Sequence, residues 1–204
     1  MATTTRQQLQ DATAEAMACV FDDIAEGRQP THRLVVLRGG ELWLEAHLGW
    51  AGDAEREAVL QAVLAMLAAA GADAAALVVD VAVASTALGS DLSGDPRDDP
   101  RAVDAILAVS TLRSGEDQRL VMPYGRHDDG TVYLHSAASS PLPGSVAQPQ
   151  MAESLAAGLR AGLRLGSDPD REVLSSTVDA LAVHGVELVF GDALAAFLDP
   201  GRRA

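Results

Sequence analysis

The sequence predicts an α+β fold: a mainly antiparallel sheet of five or six strands with helices packed on it, plus a mainly helical C-terminal segment. Apolar residues recur at helical spacing near the N-terminus and again after residue 53, whereas several runs between them alternate as strands do. The predicted strands and helices also lack the regular strand–helix–strand alternation of a doubly wound parallel sheet.

Composition divides the chain into a core domain over residues 1–137, a linker over 138–150 and a helical segment over 151–204. The stretch "SAASSPLPGSVAQPQ" is rich in Ser, Pro and Gly, which is typical of a linker. We expect the C-terminal segment to pack on the core or to extend it.

Two amphipathic helices are predicted in the core domain, over residues 5–27 and 54–70. Each carries an aliphatic stripe at spacings of three and four, and each is followed or ended by a glycine that suits a helix C-terminus. We expect both helices to pack against one face of the sheet.

A hairpin is predicted over residues 33–48, because Gly39 and Gly40 form a favoured two-residue turn between β-rich runs. Strict alternation places Trp43 on the polar face of the second strand. An exposed aromatic side chain can anchor a partner, so Trp43 is a candidate interaction residue. The alternative is that a neighbouring helix or loop covers it.

The remaining core strands are predicted near residues 76–84, 102–112, 118–125 and 131–136. Residues 102–112 also allow a helix, but "AILAVSTL" before a turn favours a strand. Asp80 interrupts the first of these apolar strands. Because a buried carboxylate needs a partner, Asp80 must lie at a sheet edge or in a polar network.

The stretch "YGRHDDGTVYLH", residues 124–135, is either a metal site or the bend of a hairpin. It holds two His and two Asp, which are metal-ligating types. The Asp-Gly pair between β-rich runs is a strong hairpin signal, and we interpret the stretch as a turn.

The C-terminal segment begins with a helix whose leucines recur every fourth residue. Gly158 and Gly162 lie on this helix and allow another surface to approach it closely, so they are candidate interaction residues. A second helix over about 169–184, a short strand at "VELVF" and a final helix at "DALAAFL" follow.

Missing residue types exclude several chemistries. All 15 basic residues are Arg, so a Schiff-base lysine and a complete P-loop are impossible. The single cysteine, Cys19, excludes an intrachain disulfide and a multi-cysteine zinc site. With no signal peptide or transmembrane run recognised, these features fit a cytoplasmic, soluble protein. No cofactor motif is present, and none is expected.

The formal net charge of −14 is unfavourable for binding a phosphate backbone. We therefore expect no nucleic-acid partner and no membrane, but a protein partner or a second copy of the chain.

A divalent-cation site is the main alternative to a binding role. Asp91 and Asp95 have the spacing that opens a calcium loop, but Pro96 stands where that motif needs Gly. An irregular site would draw its ligands from Asp91, Asp95, Asp98, Asp99 and His127. His47 and His135 would also approach each other if their strands paired.

These observations favour a non-enzymatic binding or assembly protein of unknown partner. A second copy of the chain could be that partner, which would make the protein a homo-oligomer. No nucleophile elbow and no dinucleotide-binding glycine pattern is present. The alternatives are a hydrolase that uses a divalent cation held by carboxylate and His ligands, and a small-molecule sensor with an aliphatic pocket under the sheet. Catalytic residues stay unassigned.

Overall fold

The computed structural model describes residues 4–50, 53–83, 102–135, 150–166 and 168–199. Within these ranges the chain is an α+β protein, as predicted, with five helices and seven strands. The helices are α1 (Thr5–Ala25), α2 (Asp53–Ala70), α3 (Gln150–Leu165), α4 (Arg171–Val183) and α5 (Asp192–Leu198). The strands are β1 (His32–Arg38), β2 (Glu41–Leu48), β3 (Ala74–Val83), β4 (Val103–Leu112), β5 (Asp117–Arg126), β6 (Val132–Leu134) and β7 (Glu187–Phe190).

The seven strands form one sheet in the order β6-β5-β4-β3-β1-β2-β7, and every neighbouring pair is antiparallel. Gly39 and Gly40 have φ values of +60° and +77°, which is the left-handed backbone that a tight β1–β2 turn requires. The sheet has more strands than the five or six predicted. The C-terminal segment supplies β7, which pairs with β2 at the edge of the sheet.

Local signals set the ends of several helices. The Thr4 side chain accepts a hydrogen bond from the Gln7 amide at the start of α1. Asp170 does the same for Val173 at the start of α4. These side chains satisfy amides that have no partner inside the helix, and they explain why the helices begin there.

The sheet is covered on both faces, so the prediction that α1 and α2 share one face is wrong. Val20 and Ile24 of α1 belong to a buried cluster with Val35 and Val78. The α2 helix lies on the opposite face. β3 and β4 are apolar on both sides, and burying both sides requires a helix above and a helix below. We call the two sides the α1 face and the α2 face.

The larger core lies on the α2 face. Leu67, Leu163 and Leu174 come from α2, α3 and α4, and all three are fully buried in one cluster with the sheet. α5 packs against β2 and β7 on the same side. This arrangement ties the C-terminal segment to the core through both helices and sheet. The predicted linker over 138–150 lies outside the described residues, apart from Gln150 at the start of α3.

A β-bulge in the β1–β2 hairpin changes which residues of β2 are buried. Val36 pairs with Leu44, but Leu37 pairs with Leu42, so Trp43 is the extra residue. The alternation predicted Trp43 on the polar face. The bulge instead turns it into the α2-face cluster, and it leaves Leu42 exposed on the α1 face.

The ambiguous stretch at 102–112 is a strand, as predicted, and the "DDG" stretch is a hairpin turn. The His127 amide donates to the Thr131 carbonyl oxygen at 2.9 Å, and Gly130 has a φ value of +86°. None of the helices in the described ranges has both the length and the apolar character needed to cross a bilayer.

Candidate interaction surface at the β7 edge

The α1 face of the sheet is open over β2 and β7. α1 packs against β1, β3 and β4, the central strands of the sheet. Leu42 of β2 and Val189 of β7 lie beside it on the same face and are 42% and 45% exposed. These two side chains are the apolar part of a surface that continues to the end of the sheet.

A polar cluster crosses this surface from β1 to β7. The Arg33 guanidinium donates through Nη1 to Glu45 Oε1 at 2.6 Å and to His47 Nε2 at 3.0 Å. On the other side of the ring, His47 Nδ1 lies 3.2 Å from Glu187 Oε2. The strand register explains why these side chains lie together, because Arg33 pairs with His47 across β1–β2 and His47 pairs with Glu187 across β2–β7.

Three charged side chains surround the His47 ring. Nε2 lies 3.0 Å from Arg33 Nη1 and 3.4 Å from Glu45 Oε1, and Nδ1 lies 3.2 Å from Glu187 Oε2. Both ring nitrogens therefore have polar neighbours within the chain. The cluster links the four-residue strand β7 to β2 through the contact between Glu187 and His47.

β7 is the end strand of the sheet on this side, within the described part of the chain. The Gly191 amide donates to the Trp43 carbonyl oxygen at 2.9 Å. Hydrogen-bonding residues alternate in an antiparallel ladder, so the backbone groups of Val189 point towards β2 and those of Leu188 and Phe190 point outward. Phe190 itself is 38% exposed.

A second polar site lies under α1. The Tyr124 hydroxyl donates to Asp80 Oδ1 at 2.9 Å, so Asp80 belongs to a polar network, one of the two predicted settings. Burial holds the pKa of Tyr124 well above its usual range, and the hydrogen bond to Asp80 and the nearby charge of Asp104 add to the effect. The raised pKa keeps the phenol protonated at neutral pH, the form in which it donates to Asp80.

The predicted interaction residues all make contacts within the chain. Trp43 is 7% exposed, and its ring lies 5.9 Å from the Phe197 ring of α5. A side-chain carbon added at Gly162 would lie 3.2 Å from Leu67, and one at Gly158 would lie 3.8 Å from the nearest atom, in Leu64. The surface opened by the two glycines is therefore occupied by α2.

The candidate metal ligands do not form a site in the described ranges. Asp91, Asp95, Asp98 and Asp99 lie outside the described residues. The His127 ring packs 4.4 Å from the ring of Tyr133 in the β5–β6 hairpin. Among the residues that the structure describes, no three His, Cys, Asp or Glu are grouped so that they could hold a metal ion.

The proposed approach of His47 and His135 does not occur. Their strands, β2 and β6, do not pair, and four strands lie between them in the sheet. At about 4.8 Å per strand, this is a separation of roughly 24 Å.

Sequence reasoning missed the surface at β7. The exposure of Leu42 depends on the bulge, which strict alternation cannot reveal. The available signal was the strand "VELVF" itself, which carries a single charge.

Comparisons with protein-family models, with curated proteins and with solved structures found no match.

Proposed function

We propose that this chain is a non-enzymatic binding or assembly protein that associates with a second copy of itself through the β7 edge. The observation that carries the proposal is an end strand with outward backbone groups and exposed apolar side chains. An unprotected edge is a template for pairing with another strand. Glu187 is the only charge on β7, and it is engaged by His47.

A two-fold arrangement suits this edge. β7 of one copy would run antiparallel to β7 of the other, so each Phe190 would approach the opposite strand and the two sheets would become continuous. Such an interface uses the same patch on both copies and closes after two. Leu42 and Val189 would extend it across the α1 face.

Three further observations support a role without catalysis. Both nitrogens of His47 are engaged, and Tyr124 is held protonated. Arg119 and Arg160 pair with Glu153 and Asp117, which fixes α3 to β5. These charged groups link secondary-structure elements to one another.

Light scattering across a dilution series tests the proposal. We expect the wild-type mass to double as the concentration rises. Phe190→Pro should abolish the dimer, because it removes an outward amide without removing a β2 hydrogen bond. Phe190→Glu should do the same by placing a charge on the edge.

A matched control is available at the opposite edge. Leu134 of β6 is 46% exposed, and Leu134→Glu should leave the dimer intact. Circular dichroism verifies that each variant is folded. A wild-type mass that stays monomeric at every concentration would contradict self-association, and a loss of the dimer in Leu134→Glu would move the interface away from β7.

The cation-dependent hydrolase is tested separately. Metal analysis of protein purified without chelator, together with melting temperatures in Ca²⁺, Mg²⁺, Mn²⁺ and Zn²⁺, distinguishes the two functions. A bound metal or a raised melting temperature would favour the hydrolase. Asp91→Asn with Asp95→Asn would then identify whether these carboxylates hold the ion.

A further inference from the structure

A cleft of about 430 Å³ lies between the N-terminal half of α1 and the end of the β4–β5 hairpin, far from β7 in the sheet. Its volume is within the range of small-ligand sites, about 300–1,000 Å³. Leu9 of α1 and Leu112 of β4 provide apolar walls. Polar and charged side chains from α1 and from the β4–β5 hairpin complete the lining.

A serine hydroxyl group lies at this cleft. Ser110 is 5% exposed and lines the cleft. A hydroxyl at an open cleft can donate a hydrogen bond to a ligand in place of water. Above it, Gln10 Nε2 donates to Gln118 Oε1 at 3.1 Å, which adds two amide groups to the wall.

One positive and one negative side chain meet at the cleft. Arg6 of α1 forms an ion pair with Glu116 of the β4–β5 turn. The two side chains are 60% and 57% exposed, and an ion pair this exposed contributes little to stability. Both partners can therefore exchange their contact for a ligand that carries both charges at small cost.

Asp117, the other acidic residue at the cleft, is already paired. Its carboxylate forms an ion pair with Arg160 and accepts a hydrogen bond from Thr111 at 3.1 Å. The charges left for a ligand are thus one guanidinium and one carboxylate. A ligand with a single charge would satisfy one and leave the other without its partner.

We propose that this cleft binds a free α-amino acid with an aliphatic side chain. The ligand carboxylate pairs with Arg6 and its ammonium group pairs with Glu116, and the two replace the ion pair between these residues. The ligand side chain packs between Leu9 and Leu112. Ser110 donates its hydroxyl proton to the ligand carboxylate. This site is independent of the proposed self-association.

Isothermal titration calorimetry with L-leucine and L-valine tests the site. We expect saturable binding of one molecule per chain. 4-Methylpentanoic acid lacks the ammonium group and isoamylamine lacks the carboxylate, and each should bind at least about tenfold more weakly than leucine. Equal binding of leucine and either analogue would overturn the proposal, and so would the absence of heat with every aliphatic amino acid.

Three variants locate the site. Arg6→Gln and Glu116→Gln should each weaken leucine binding by about tenfold or more. Ser110→Ala separates ligand binding from folding. Because the Ser110 hydroxyl lies at an open cleft, its removal should change the melting temperature of the free protein little, while leucine binding weakens.

Controls use the same helix and the other edge of the sheet. Arg28 pairs with Asp23 near the C-terminal end of α1, and Arg28→Gln should bind leucine as the wild type does. Phe190→Pro should also bind normally, so a failure of self-association is distinguishable from a failure of this site. Leucine binding that survives Arg6→Gln, Glu116→Gln and Ser110→Ala would place the ligand elsewhere.

Discussion

At the scale of single residues, the hydroxyl of Tyr124 shows that a side chain can form a hydrogen bond with a residue two strands away in the sheet. Tyr124 lies on β5 and Asp80 on β3, and β4 runs between them. The tyrosine side chain is long enough to reach across β4 and donate to the Asp80 carboxylate. Burial of the ring, which is 4% exposed, makes this contact sensitive to the ionisation of the phenol.

Ionisation of Tyr124 should lower the stability of the fold at alkaline pH. Its pKa is raised in the folded state, so its contribution to stability is complete below the ordinary tyrosine pKa of about 10 and is lost as the pH rises above it. The unfolded chain ionises there first. We expect the free energy of unfolding to fall by up to about 1.4 kcal/mol per pH unit above about pH 10.

Urea denaturation at several alkaline pH values measures this fall. Tyr124→Phe should remove the alkaline loss and should cost about 1–3 kcal/mol at neutral pH, because Asp80 loses a donor. The sequence has no Lys and one other tyrosine, Tyr133, which is half-exposed. Tyr133→Phe is therefore the control, and it should keep the alkaline loss. An unchanged pH profile in Tyr124→Phe would contradict the assignment.

Two single residues also show which features cannot be predicted from local sequence patterns. A carboxylate in an apolar strand needs a partner, and Asp80 has one. The identity of that partner depends on strand order, which no local pattern reports. Trp43 shows the converse case. The alternation in β2 is regular in sequence, and one extra residue in the pairing reverses the face on which Trp43 lies.

At the scale of secondary-structure elements, the α2–α3 contact depends on two glycines that differ in their surroundings. A side-chain carbon at Gly158 would lie 3.8 Å from the nearest atom, an ordinary contact. One at Gly162 would lie 3.2 Å from Leu67 and 3.3 Å from Leu64. Of these two positions, Gly162 is the one at which α3 lies closer to α2.

Substitution of these glycines should separate helix propensity from packing. Gly158→Ala should stabilise the protein by about 0.5–1 kcal/mol, because alanine favours the helix. Gly162→Ala should stabilise it less, and Gly162→Leu should cost about 1–3 kcal/mol by overpacking. Thermal and urea unfolding measure the differences. Equal effects at both positions would show that α3 does not approach α2 as described.

The elements themselves follow closely from local pattern, whereas their arrangement does not. Turn glycines, apolar spacing and capping residues predict α1, the β1–β2 hairpin and β4. The face on which each helix packs is a property of the whole sheet. The two-sided apolar character of β3 was visible in the sequence and indicates cover on both faces. The edge position of β7 depends on a pairing between residues about 140 positions apart, such as His47 and Glu187.

At the scale of the whole molecule, net charge opposes the self-association that the β7 edge favours. Each copy carries a formal charge of −14, so two copies repel each other at low ionic strength. Salt screens this repulsion, since the Debye length falls from about 30 Å at 0.01 M to about 3 Å at 1 M. The hydrogen bonds and apolar contacts of a β7 interface depend much less on salt.

We therefore expect the dimer to become tighter as salt is added. Between about 20 mM and about 500 mM NaCl, its dissociation constant should fall by roughly tenfold. Analytical ultracentrifugation at matched protein concentrations measures the change, and Phe190→Glu, with its altered edge, should stay monomeric throughout. A basic partner protein would show the opposite dependence, because salt would screen an attraction. Weakening of self-association with added salt would thus exclude the apolar β7 interface and point to contacts between opposite charges.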